Sequence, residues 1–174
     1  ARLDYTACES PGDVDAQFTR GWVPASALEL PRDWTYYDRE DRLHSSALND
    51  PGVRLCLTRI YDKLVVNLEG LQNTCNAALM AYARNEQMMV TWQVDDGQSY
   101  TARWTWFGGV SISGSAALCM TDPEQFLLLN AHLAAGRKIS FRVEGAFGGC
   151  RVQFSCMGFR CAADIAFENW GVGP

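Results

Sequence analysis

The stretch QMMVTWQVDDGQSYTARWTW, residues 87–106, decides the fold. In its first arm Met88, Val90, Trp92 and Val94 alternate with Met89, Thr91 and Gln93. In its second arm Tyr100, Ala102, Trp104 and Trp106 alternate with Ser99, Thr101, Arg103 and Thr105. A period of two is what a strand shows when one face meets a core and the other meets water. Asp95-Asp96-Gly97 lies between the arms, where glycine can supply the positive φ of a tight hairpin turn. Three tryptophans on the apolar faces would bury a large area of ring, so this hairpin is expected to seed the core.

Toward the N-terminus, residues 53–60 set Val53, Leu55 and Leu57 against Arg54, Cys56 and Thr58. Tyr61-Asp62-Lys63 then turns the chain into LVVNL, residues 64–68, which predicts a second hairpin. Before it, Trp34-Thr35-Tyr36-Tyr37 has strand composition and residues 42–48 have no clear type. The run Asp38-Arg39-Glu40-Asp41-Arg42 mixes signs near a turn, so it reads as solvated rather than as a carboxylate site. Residues 22–30 carry Pro24 and suit an edge strand, and residues 76–84 are read as strand plus loop.

Toward the C-terminus, Thr121-Asp122-Pro123-Glu124 has the residues of a helix start: a cap, a first-turn proline and an acid. Phe126, Leu127, Leu129, Asn130, Leu133 and Ala134 recur at helical spacing until Gly136, giving one α-helix at about 122–135. Ile139, Phe141 and Val143 alternate in the next strand, and residues 150–157 return antiparallel after the turn at 146–149. Residues 158–164 suit a last helical turn, with Trp170 folded back onto the surface. The expected architecture is a mainly antiparallel β-sandwich, residues 34–174, with a polar arm, 1–33, packed on its core.

At 174 residues, 48% hydrophobic and 20% charged, the chain can bury the core of one domain. Its net charge of −5, with acids and bases interspersed, argues against nucleic acid as partner. No run of roughly 18 apolar residues could cross a membrane. Ala1 opens directly into a polar segment with no signal peptide, as in a chain already trimmed by signal peptidase or in one merely begun there for expression.

Seven cysteines, Cys8, Cys56, Cys75, Cys119, Cys150, Cys156 and Cys161, are many for a reduced cytosolic domain and point to disulfides in an oxidising compartment. There is no CxxC, only His44 and His132 could complete a metal site, and the spacing Cys-x5-Cys-x4-Cys at the end matches no zinc pattern. Cys56 with Cys75 is the favoured pair. Cys150 and Cys156 share a strand face too far apart to bridge each other, so Cys161 or Cys119 suits each better. An odd count leaves one thiol over, either buried or available for an intermolecular bridge.

Nucleophilic sites have little raw material here. The two histidines stand in no suggestive context, with His132 read as a surface group on the helix, and Gly-x-Ser-x-Gly, His-Glu-x-x-His and phosphate-loop patterns do not occur. Asp95 and Asp96 fall at a turn tip rather than across a cleft. No catalytic residue, metal or cofactor is therefore assigned, and the chain is not expected to be an enzyme.

Trp34, Leu55-Cys56, Val90–Val94 with Asp96-Gly97, and Arg103-Trp104 begin a suggestive series. It continues with Pro123-Glu124-Gln125-Phe126, Gly136-Arg137-Lys138, and the closing Phe154, Gly158-Phe159 and Ala162. Over about residues 34–165 this order resembles the TagO/VasI-type periplasmic accessory proteins of bacterial type VI secretion, and more loosely the invasion-associated locus B family. The arm and most of the cysteines depart from that pattern. The resemblance implies a periplasmic or secreted β-sandwich, without catalytic residues, that contacts a protein partner at an envelope-spanning machine. A different class, an immunity- or inhibitor-type protein, would block a toxin or enzyme with a loop such as 69–76 or 145–149.

Overall fold

The computed structural model describes residues 2–3, 21–22, 33–71, 87–107, 117–145 and 148–172. In chain order the strands are β1 (Arg2–Leu3), β2 (Gly21–Trp22), β3 (Thr35–Tyr37), β4 (Arg42–Ser46), β5 (Arg54–Ile60) and β6 (Lys63–Glu69). β7 (Gln87–Val94), β8 (Ser99–Phe107) and β9 (Ala117–Met120) follow, then helix α1 (Pro123–Ala135), β10 (Lys138–Gly145), β11 (Gly148–Ser155) and helix α2 (Phe159–Trp170). Of the N-terminal arm only β1 and β2 are described, as a separate antiparallel pair. Residues 76–84, Cys8 and Cys75 lie outside the described residues.

The alternation in residues 87–106 forms the β7–β8 hairpin, with Met88 opposite Trp104, Val90 opposite Ala102 and Trp92 opposite Tyr100. Trp92, Trp104 and Trp106 are buried. The turn differs in one detail. Asp95, not Gly97, takes the left-handed conformation, at φ 49°. Aspartate is among the residues that tolerate it, and here its carboxylate bonds across the fold, accepting from the backbone N–H groups of Arg137 and Lys138 at 3.2 and 3.0 Å. That acid is thus a tie between the hairpin and the start of β10.

Instead of two stacked sheets, the strands from β3 to β11 form one antiparallel sheet in the order β11-β10-β7-β8-β9-β6-β5-β4-β3. The β10–β11 hairpin crosses back to pair with β7, on the side of the central hairpin away from β9. Accumulated strand twist then curls the sheet. The far edge of β11 returns to the chain just past β4. There Leu48 N–H donates to the Gln153 carbonyl at 2.7 Å. The Asn49 side chain donates to the Arg151 carbonyl at 3.0 Å and accepts from the Gln153 N–H at 2.9 Å. One amide side chain therefore imitates a strand and occupies the edge that would otherwise pair with other chains.

The inner face carries Leu43, Leu55, Leu57, Val66, Leu68, Leu118, Val90, Ile139, Phe141 and Phe154, and both helices close over it. α1 begins as its sequence predicts, with Asp122 accepting from the Gln125 N–H at 2.9 Å and Pro123 in the first turn. The final helix is longer than the single turn expected. Phe159, Ala163, Ala166 and Trp170 repeat at helical spacing and are all buried, so Trp170 is a core residue. Gly171, at φ 64°, ends α2, and Arg59 Nη1 donates to the Trp170 carbonyl at 2.6 Å.

Candidate functional site

Two constellations stand out from the surrounding fold. The first is on the outer face of β4, β5, β6 and β9, where the register aligns His44, Cys56, Asn67 and Cys119 across neighbouring strands. An outer face should be wet, yet Cys56, Asn67, Thr58, Arg42 and Glu69 are all buried. Arg42 Nη2 lies 2.5 Å from Glu69 Oε2 and 2.9 Å from Cys56 Sγ. Burial pushes the Arg42 guanidinium down, but the Cys56 and Glu69 contacts outweigh it and hold it above its ordinary value. Arg42 therefore departs from the solvated charge run expected of residues 38–42, although Asp38, Arg39, Glu40 and Asp41 are exposed.

The chemistry of this row is that of a locked network. Burial first, then the Glu69 charge, pushes the Cys56 thiol up to about 12. The same two causes push the Cys119 thiol up to about 12. Burial, with Asp95 nearby, does likewise for Cys156. A nucleophilic cysteine needs a lowered pKa, and these three are held as thiols at neutral pH. His44 is held below its usual value by burial and then by Arg42 and Arg54. Its ring stacks on Tyr37 at 5.0 Å.

Cysteine usage also differs from the expected pairing. Cys56, Cys119 and Cys156 are free. Cys56 is thus not bridged to Cys75, and Cys119 is not the bridging partner of Cys150 or Cys156. In a strand packed on both faces the thiol serves as a small apolar group. Cys150 and Cys161 are the disulfide-bonded cysteines among the described residues.

His132 is partly exposed, as expected, and it also has partners. Trp92 Nε1 donates to its Nδ1 at 3.1 Å, and the Tyr100 ring lies 4.4 Å away. Burial lowers its pKa. Both histidines are thus favoured neutral in the folded state, while the unfolded chain takes up protons near pH 6.5. Stability from this source is fully present above about pH 6.5 and is lost as the pH falls below it, toward the lowered folded values. Urea midpoints should drop between about pH 7.5 and 5.5, and His132→Gln should shrink that drop.

The second constellation is a cleft of about 760 Å³ between α1 and α2. Ala134, Phe159, Ala163, Phe167 and Val172 supply an apolar lining, with Arg160, Asp164 and Glu168 exposed at its margin. Asn130 reaches in from α1, and its Oδ1 is buried with no hydrogen-bond partner among the described residues. Leu127, one turn before Asn130 on that helix, is 65% exposed. Periodicity had placed Leu127, Asn130 and Ala134 on α1. It could not show the cleft, because α2 was read as a single turn. Nothing among protein families, curated proteins or solved structures matches the chain.

Proposed function

We propose that this chain is a non-catalytic binding protein and that the α1–α2 cleft is its contact surface. The observation that carries the reading is the apolar floor with a charged margin and an unanswered acceptor, Asn130 Oδ1. Contact patches have this anatomy: a dry centre, a polar rim and a few placed hydrogen-bonding groups. The protonated state of the free thiols supports a non-catalytic role. The resemblance to TagO/VasI-type proteins extends the proposal to an exported accessory protein of the bacterial envelope with a protein partner. Disulfide-bonded Cys150 and Cys161 support export through an oxidising compartment. The loops 69–76 and 145–149, offered as plugs for a toxin or enzyme, fall largely outside the residues whose side chains are described.

The test is photocrosslinking in envelope extracts, with the reactive group at Ala134. Wild-type sequence elsewhere should give a discrete protein adduct. Leu127→Glu should abolish the adduct while leaving the thermal midpoint unchanged. Tyr61→Glu, at a residue 93% exposed on another part of the surface, should leave it intact. An adduct indifferent to Leu127→Glu would remove the cleft from the reading.

A further inference from the structure

Across the curled sheet from the buried charged row lies the outer face of β8, β7, β10 and β11, where Thr101, Arg103, Arg142, Glu144 and Arg151 are exposed. Register places three rows of side chains on it. Arg103, Met89, Glu144 and Gly149 form one, and Thr101, Thr91, Arg142 and Arg151 the next. Ser99, Gln93, Ser140 and Gln153 form the third. Hydroxyls and amides dominate, Met89 is the sole large apolar group, and three arginines face one glutamate.

The arginines are placed against the ordinary preference of a sheet. Arg142 and Arg151 are directly opposed across β10 and β11. Like charges in that position repel, with side-chain stems about 5 Å apart. Arg142 leans on Glu144 at 3.0 Å, at an exposed position. Arg151 has no carboxylate partner among the described residues, and its Nη2 reaches only Ser140 Oγ at 3.4 Å. Beside them the surface sinks into a depression of about 500 Å³, lined by Thr91, Gln93, Ser99, Ser140, Arg142 and Arg151 among others. Gly149 also lines it, at a position where a Cβ would lie 2.8 Å from the Val143 carbonyl oxygen and the backbone would have to shift to take a larger residue.

We infer that this depression is a binding site for a small polyhydroxylated carboxylate of the sugar-acid class. A carboxylate between Arg142 and Arg151 relieves their repulsion and accepts charge-assisted hydrogen bonds from two planar donor groups. Exposed Ser99 offers a hydroxyl that both donates and accepts, and Thr91, Gln93 and Ser140, whose groups also bond Thr101 Oγ1 at 2.9 Å, the Gly97 carbonyl at 2.8 Å and Gln153 Nε2 at 3.1 Å, give the lining the mixed character that ligand hydroxyls need and a bare anion does not. The volume suits one such molecule. The face lacks the apolar, aromatic centre of a protein contact, so this site is separate from the α1–α2 cleft and independent of its role.

The experiment is an amide chemical-shift titration of the full chain with galacturonate, galactose and inorganic phosphate. Galacturonate should give saturable shifts on β10 and β11, and Arg151→Ala should weaken it roughly tenfold, as for one charged hydrogen bond. Ser99→Ala, at an exposed lining hydroxyl, should weaken galacturonate but leave any phosphate binding unchanged. Galactose binding as tightly would show that the arginines do not select the ligand. Phosphate binding as tightly would show an anion site without hydroxyl recognition. Either outcome overturns the assignment, as does the absence of saturable shifts with galacturonate. Leu127→Glu should not affect this titration.

Discussion

Replacing Arg42 with alanine is expected to destabilise the fold by about 3–5 kcal/mol, read as a lowered urea midpoint with an unchanged slope. Arg42 is 5% exposed and Glu69 is equally buried, so the substitution removes from the interior the cation that Glu69 Oε2 pairs with. It also removes the donor to Cys56 Sγ. Glu69→Ala should cost a similar amount for the converse reason. The double replacement Arg42→Met with Glu69→Leu should recover most of the loss, because neither partner is then left charged in the interior. If Arg42→Ala cost less than about 1 kcal/mol, the pair would behave like one at an exposed surface, and this outer face would have to be wet in solution.

The second large effect is expected at Trp104. Truncation to alanine should cost about 3–5 kcal/mol, since the ring is fully buried and meets Phe141 edge-on at 5.9 Å. Trp104→Phe should cost far less than the alanine variant. The Trp104 indole N–H is buried without a hydrogen-bond partner among the described residues, so phenylalanine removes an unsatisfied donor along with part of the ring. Trp92→Phe should be the more damaging of the two phenylalanine variants, because Trp92 gives up its bond to His132. Equal costs at the two sites would mean that the Trp104 N–H finds a partner in solution.

These two sites mark where sequence patterning succeeds and where it stops. Trp104 was legible because a half-buried strand keeps one periodicity and its aromatic positions declare the inner face. Arg42 was not. The four residues before it are charged and exposed, and only the pairing of β4 with β5 and of β5 with β6 brings it to Cys56 and Glu69. A partial signal was present in LVVNL, a nearly unbroken apolar run, which is the mark of a strand buried on both faces. α2 was read short because two of its four core positions are alanines, too small to announce a stripe. The cleft depends on two helices separated by a hairpin, so neither helix alone contains it. The single curled sheet is a property of strand order, which alternation within each strand leaves open.

The clasp at Asn49 gives the sheet a mechanical character that strand order alone would hide. Every other boundary between its neighbouring strands is a backbone ladder, whereas this one is held by one backbone donor, the Asn49 amide and the Trp34 indole, which donates to the Ser155 carbonyl at 2.8 Å. The curled sheet is therefore fastened along this line chiefly by side chains, able to loosen there while every ladder stays intact. Fluctuation or tension should first part it between Asn49 and β11, a local opening far cheaper than global unfolding. The momentary product is a sheet with an unpaired edge at Gln153, the kind of edge through which chains pair with one another.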